Sequence, residues 1–142
     1  MKVTYTHKIF GSLLLSSLFS LNAHAHELVL KVDKISKPKG VMMIALYNSA
    51  DGYNSDINTF SGKRIAITQN TLTVNFGGVP AGDYAIKLYH DENENGVIDK
   101  NVIGLPTEGY GFSNNGGAMG QPSFQDAKFT VSSNTTITIH LR

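Results

Sequence analysis

The chain has 142 residues, twelve Lys and Arg against eleven Asp and Glu, 14 glycines and no cysteine. That length suits one domain, and a near-neutral balance without a basic patch argues against nucleic acid as a partner. With no disulfide to brace it, the fold must rest on its own core or on a bound ion.

The first element is an export signal. Lys2 and Lys8 precede an apolar run, Ile9 to Leu21, and no acidic residue occurs before it. Ala23-His24-Ala25 follows as a small-x-small cleavage site. A charged start, a short apolar middle and a small-residue exit are the three parts of a secretory signal. A membrane-spanning helix takes roughly 20 apolar residues, more than this run supplies. The sequence therefore predicts a signal peptide over 1–25 and a mature domain over 26–142, periplasmic or extracellular, with no transmembrane segment. Cleavage removes two of the twelve cations and no anion, leaving ten against eleven and a mature net charge of −1.

The mature chain reads as strands and turns. Leu28, Leu30 and Val32 alternate with Val29, Lys31 and Asp33, the period of a half-buried strand. Lys37-Pro38-Lys39-Gly40 is a turn, and Val41 to Tyr47 is apolar on both faces, as a central strand is. Residues 48–62 form a polar loop with room for one helical turn. Arg64 to Thr68 and Thr71 to Phe76 flank Gln69-Asn70 as a tight hairpin would. After the turn at Gly77 to Gly82, Asp83 to His90 alternates again. A long loop runs from Asp91 to about Gln125, and two last strands, Ala127 to Val131 and Thr135 to Leu141, meet at Ser132-Ser133-Asn134. About seven short strands with Gly and Pro turns predict an all-β sandwich. Its core is expected from Leu28, Leu30, Met43, Leu46, Leu72, Val74, Ile86, Leu88, Phe129, Val131, Ile137 and Ile139.

Two stretches of the long loop carry chemistry. Asp91-Glu92-Asn93-Glu94-Asn95-Gly96-Val97-Ile98-Asp99 matches the opening of the calcium pattern D-x-[DN]-x-[DN]-G. Calcium is a hard ion that takes six to eight oxygens. Asp91, Asn93, Asn95, the Val97 carbonyl and Asp99 would supply five, with Glu108 as a further ligand. The twelfth position is Val102 rather than the bidentate Glu of an EF-hand, so the loop is not one. A solvated Asx turn is the competing reading. Zinc has no cluster to bind: no Cys, and His26, His90 and His140 are scattered.

The second stretch, Gly104 to Phe124, is rich in glycine, aromatics and amides. Tyr110, Phe112, Asn114 and Asn115 are its candidate ligand contacts, for a glycan, a peptide or a protein. In the competing reading its aromatics only cap one end of the sandwich. Ser113 and Ser123 lack the G-x-S-x-G elbow of a serine hydrolase, so the chain reads as a non-enzyme. The alternative is a small hydrolase or transferase using Asp91, Glu108 or His90.

The run His90 to Asp99, followed by Gly104-Leu105-Pro106-Thr107-Glu108-Gly109-Tyr110-Gly111-Phe112-Ser113-Asn114-Asn115, resembles the bacterial family called domain of unknown function 2141. Pro80 to Ile86 and Gly120-Gln121-Pro122-Ser123-Phe124 extend that likeness. The resemblance implies an exported bacterial protein with an immunoglobulin-like or transthyretin-like sandwich, and it implies no activity. The export reading makes one prediction. Mass spectrometry of the protein from its native host should find a mature N-terminus at His26; intact Met1 in a cytoplasmic pool would contradict it.

Overall fold

Alternation in the first strand sets one wall of the core. In the computed structural model, which describes residues 24–142, β1 (Ala25–Asp33) buries Leu28, Leu30 and Val32 and turns Val29 and Lys31 outward. Nearly all of the expected signal peptide falls on residues 1–23, outside the described residues. The remaining elements are β2 (Val41–Tyr47), α1 (Ala50–Ser55), β3 (Ser61–Ala66), β4 (Leu72–Pro80), β5 (Gly82–Asp91), β6 (Tyr110–Phe112), a 3-10 turn at Ser113–Asn115, α2 (Phe124–Ala127), β7 (Phe129–Val131) and β8 (Thr135–His140).

The strands form a β-sandwich of two sheets, one ordered β4-β1-β8 and the other β3-β2-β5-β6, with β7 paired to the start of β5. Strands β1 and β8 lie parallel, Leu28 opposite Thr135 through Asp33 opposite His140. A parallel pair needs a long crossover, and here nearly the whole domain is that crossover. Between the sheets lie Leu28, Leu30, Val32, Met42, Ile44, Leu46, Val74, Ile86, Leu88, Val131 and Ile139, all buried. Leu72, Phe129 and Ile137 pack on that core while partly exposed.

Several expectations change in the folded chain. The segment 64–76 is not a hairpin: β3 pairs with β2 in one sheet and β4 pairs with β1 in the other. Asn70 crosses between them, its amide donating to the Ile35 carbonyl at 2.7 Å. Likewise β7 pairs with β5 and β8 with β1, so Ser132-Ser133-Asn134 also joins opposite sheets. Turn residues mark where a chain reverses, but they do not state which sheet the next strand enters. Met43 is on the outer face of β2, because Met42, Ile44 and Leu46 take the inward positions. The strand is apolar on both sides, so its period could not choose. The long loop holds structure of its own, including β6, which brings the strand number to eight.

Ile86 is fully buried in the centre of β5. Ile86→Ala is expected to cost about 2–5 kcal/mol, read as a lower urea midpoint at unchanged slope; a loss under 1 kcal/mol would mean that the site collapses around the deletion.

Candidate functional site

The outer face of the five-stranded sheet is apolar as well, and it divides in two. One part is roofed by the short helices: Tyr53 of α1 and Phe124 and Ala127 of α2 pack with Tyr47 and Ala85 into a second buried cluster. Ser49 caps α1 and Ser123 caps α2, each side chain accepting from a backbone N–H of the first turn. The other part stays uncovered and forms the floor of a groove.

Strand register arranges this floor in rows. Arg64, Met43, Tyr89 and Tyr110 are successive cross-strand neighbours, and so are Gly62, Ala45, Lys87 and Phe112. One wall is Ile98, Lys100, Gly104, Leu105 and Pro106; the other is Ala118 to Gln121. The space between them is about 820 Å³, within the range of small-molecule sites. Leu105 and Met119, one on each wall, are exposed large apolar side chains.

Strand β6 explains the glycine-aromatic spelling. A Cβ on Gly111 would stand 2.5 Å from the Ile139 side chain, and one on Gly109 would stand 2.6 Å from that of Leu141. Only glycine fits at these inward positions, so the alternating aromatics point outward. Tyr110 and Phe112 line the groove, their rings 6.0 Å apart edge to face. The edge beyond β6 is closed by reciprocal backbone bonds between Tyr110 and Arg142.

At the helical end of the groove, the Lys87 ammonium is 2.7 Å from Asp56. It also stands 4.4 Å from the centre of the Tyr53 ring and 5.4 Å from that of Tyr47. The Tyr47 hydroxyl donates to Asp56 at 3.2 Å. Burial raises the pKa of the Tyr47, Tyr53 and Tyr89 phenols, which stay protonated at neutral pH. The Tyr53 hydroxyl is buried with no hydrogen-bond partner among the described residues.

The acidic loop stands behind the first wall. Asp91 is fully buried and accepts from the backbone N–H of Asn95 at 3.1 Å and of Gly96 at 2.8 Å. Glu108 accepts from Glu92 N at 2.8 Å and Asp99 N at 2.9 Å. The amides of Asn93 and Asn95 donate to Asp99 at 2.6 and 2.9 Å. The Asn95 side-chain oxygen accepts from Val97 N at 3.0 Å. Asp91, Asn93, Asn95 and Asp99 thus share one curled segment, Glu108 binds its backbone from further along the chain, and each of these side chains is engaged in a hydrogen bond. Among the described residues no three His, Cys, Asp or Glu side chains converge as a metal-holding group. Gly40 carries φ +66°, and a Cβ there would run into the Asp91 carbonyl, so the preceding turn presses directly on the loop's root.

The other candidates are spread out. Asn114 donates to the carbonyls of Asp126 and Lys128 at 3.0 and 2.8 Å. Asn115 accepts from His140 N at 2.8 Å and donates to the Thr138 carbonyl at 3.2 Å, sealing the edge of β8. Their amides staple the fold rather than face the groove. His90 is buried, with Nε2 2.6 Å from the Lys39 carbonyl, so that nitrogen carries the proton. Sequence reasoning missed Met43, Ala45, Tyr47, Lys87 and Tyr89 as groove residues. The double-sided apolarity of Val41 to Tyr47 was the signal that a second face is covered or used.

A family model described as an uncharacterized protein conserved in bacteria, domain of unknown function 2141, matches residues 30–139. No curated protein and no solved structure matches the chain. The chain belongs to this bacterial family, as the motif from His90 to Asn115 implied.

Proposed function

We propose that the protein is an exported binding module that takes an apolar ligand, or an apolar segment of one, in the groove on the outer face of the five-stranded sheet. The observation that carries this reading is the floor. Met43, Tyr89, Tyr110 and Phe112 form an aromatic and thioether surface that the flanking loops border without covering. Burying such surface is the main source of affinity at small-molecule sites. A glycan needs many free hydrogen-bonding groups, yet Asn114, Asn115, Asp91 and Glu108 are all engaged within the fold. The alternative, a hydrolase or transferase, would need Asp91, Glu108 or His90 to exchange a proton with a substrate. Both carboxylates hold backbone N–H groups with each oxygen, and His90 is tied to a carbonyl.

An uncharged naphthylamine dye should therefore bind saturably at one site per chain. Tyr110→Ala and Phe112→Ala should each weaken it about tenfold, as loss of aromatic contact worth about 1.4 kcal/mol does. Affinity indifferent to both substitutions would move the ligand away from this face.

Calcium is the ion we propose for the 91–99 loop, in a structural role. Asp91, Asn93, Asn95 and Asp99 lie along one turn, and both amides already reach Asp99. A cation in that turn would take the place of the two amide N–H groups as partner of the Asp99 carboxylate and draw its other oxygens from Asp91 and the loop. The low ligand charge and the Val at the twelfth position predict the affinity of extracellular modules, a Kd on the order of 10⁻⁴–10⁻³ M. At ten times that concentration calcium would add about 1.4 kcal/mol to stability, a rise of a few degrees in Tm. The check is a melt in millimolar calcium against chelator, repeated with Asp91→Ala. Equal Tm in calcium and chelator would leave the loop as a hydrogen-bonded turn.

A further inference from the structure

The charges and the main chain around the groove narrow the class of ligand. Three charged residues line it, Asp56, Lys87 and Lys100, while Arg64, at the end of the Met43 row, is paired with Glu94 at 3.0 Å. Asp56 and Lys87 pair with each other at 2.7 Å. Lys100 takes part in none of the ion pairs found among the described residues, so its ammonium is free to meet a ligand at the edge of a mainly apolar lining.

The floor offers no backbone to a ligand. Strand β2 is bonded to β3 and β5, and β5 to β2 and β6, so their N–H and C=O groups are spent on neighbouring strands. A peptide lying here could not add as a strand, and its own amides would be buried without partners, at a cost. A hydrocarbon chain carries no such groups.

The wall beside Lys100 is held in place. The Asn101 side chain accepts from Ile103 N at 3.1 Å and Leu105 N at 3.0 Å. Asn101 N donates to the Leu105 carbonyl at 2.8 Å, and Lys100 bridges to Pro106. This hairpin displays Val102, Ile103 and Leu105 to solvent, next to the cation. Of these Leu105 lines the groove, as does the exposed Met119 on the opposite wall, and exposed apolar side chains at a groove are a feature of binding sites.

We infer that the ligand is a single-chain amphiphile with an anionic head, of the class of long-chain carboxylates, its hydrocarbon lying along the aromatic floor and its head at Lys100. This inference rests on the groove reading above and adds to it the head-group charge and the residue that selects it.

Isothermal titration calorimetry of the full mature chain with decanoate, decanol and decyltrimethylammonium, each below its aggregation concentration, tests it. Decanoate is expected to bind one to one and about three- to tenfold tighter than the other two, the range of one solvent-exposed charge pair and its reversal. Lys100→Glu should invert the order, so that the cationic amphiphile binds tightest. Lys100 is exposed, and a circular dichroism melt checks that the variant is folded. Equal affinity for all three, untouched by Lys100→Glu, would overturn the anionic head while leaving an apolar groove. Binding of none would overturn the groove reading itself. Association with phosphatidylglycerol vesicles without binding of monomeric decanoate would overturn the inference in favour of a membrane surface.

Discussion

Two carboxylates, each oxygen committed to a backbone N–H, hold the working side of this molecule together. Asp91 gathers Asn95 and Gly96, and Glu108 gathers Glu92 and Asp99. Hydrogen bonds to a charged acceptor contribute about 1.5–3 kcal/mol each. The segment between these residues lacks long regular structure and would otherwise leave its amides to solvent. Held at both ends, it carries the Asn101 hairpin, and that hairpin is a wall of the groove. Tyr89 joins the two levels: its ring lines the groove and its hydroxyl donates to the Gly96 carbonyl at 2.9 Å.

The floor depends on a second constraint, the tight approach of β6 to the end of β8. With glycine at positions 109 and 111, the side chains of Leu141 and Ile139 fill the inward space, and every side chain of appreciable size on β6 must face outward. Ser113 then fixes the exit. Its hydroxyl accepts from Ile86 N at 2.9 Å and donates to the Ala127 carbonyl, joining β5 to α2. The same few residues therefore close a sheet edge, position the second helix and present Tyr110 and Phe112. Edge closure by Asn115 and Arg142 also removes a strand edge that could otherwise pair with another chain.

The outer face is the economy of the design. Its upper part is covered by α1 and α2 with Tyr47, Tyr53 and Phe124 in edge contact, ring centres 5.7 and 5.8 Å apart. The part left open is lined by the same kinds of side chain. Lys87 lies at the boundary, its stem over the sheet and its ammonium between Asp56 and two tyrosine rings. A cation so held marks the limit between the covered surface and the open one.

The amino-acid sequence by itself determined the class and the approximate place of seven of the eight strands. Alternation in Leu28 to Val32, the double-sided apolar run Val41 to Tyr47 and the glycine-rich turns are local signals, and local signals survive without a structure. The motif from His90 to Asn115 likewise carried the family, and Asp91, Asn93, Asn95 and Asp99 do share one turn. Which strands pair was decided only by the tertiary fold: β3 and β4 are neighbours in sequence and lie in different sheets. The groove was decided there as well, because its floor joins residues from β2, β5 and β6 whose adjacency is a matter of register. The roles of Asn114 and Asn115 followed the same rule. An amide reads identically in sequence whether it awaits a ligand or staples a strand edge, and only the carbonyls brought beside it by long-range packing decide between the two.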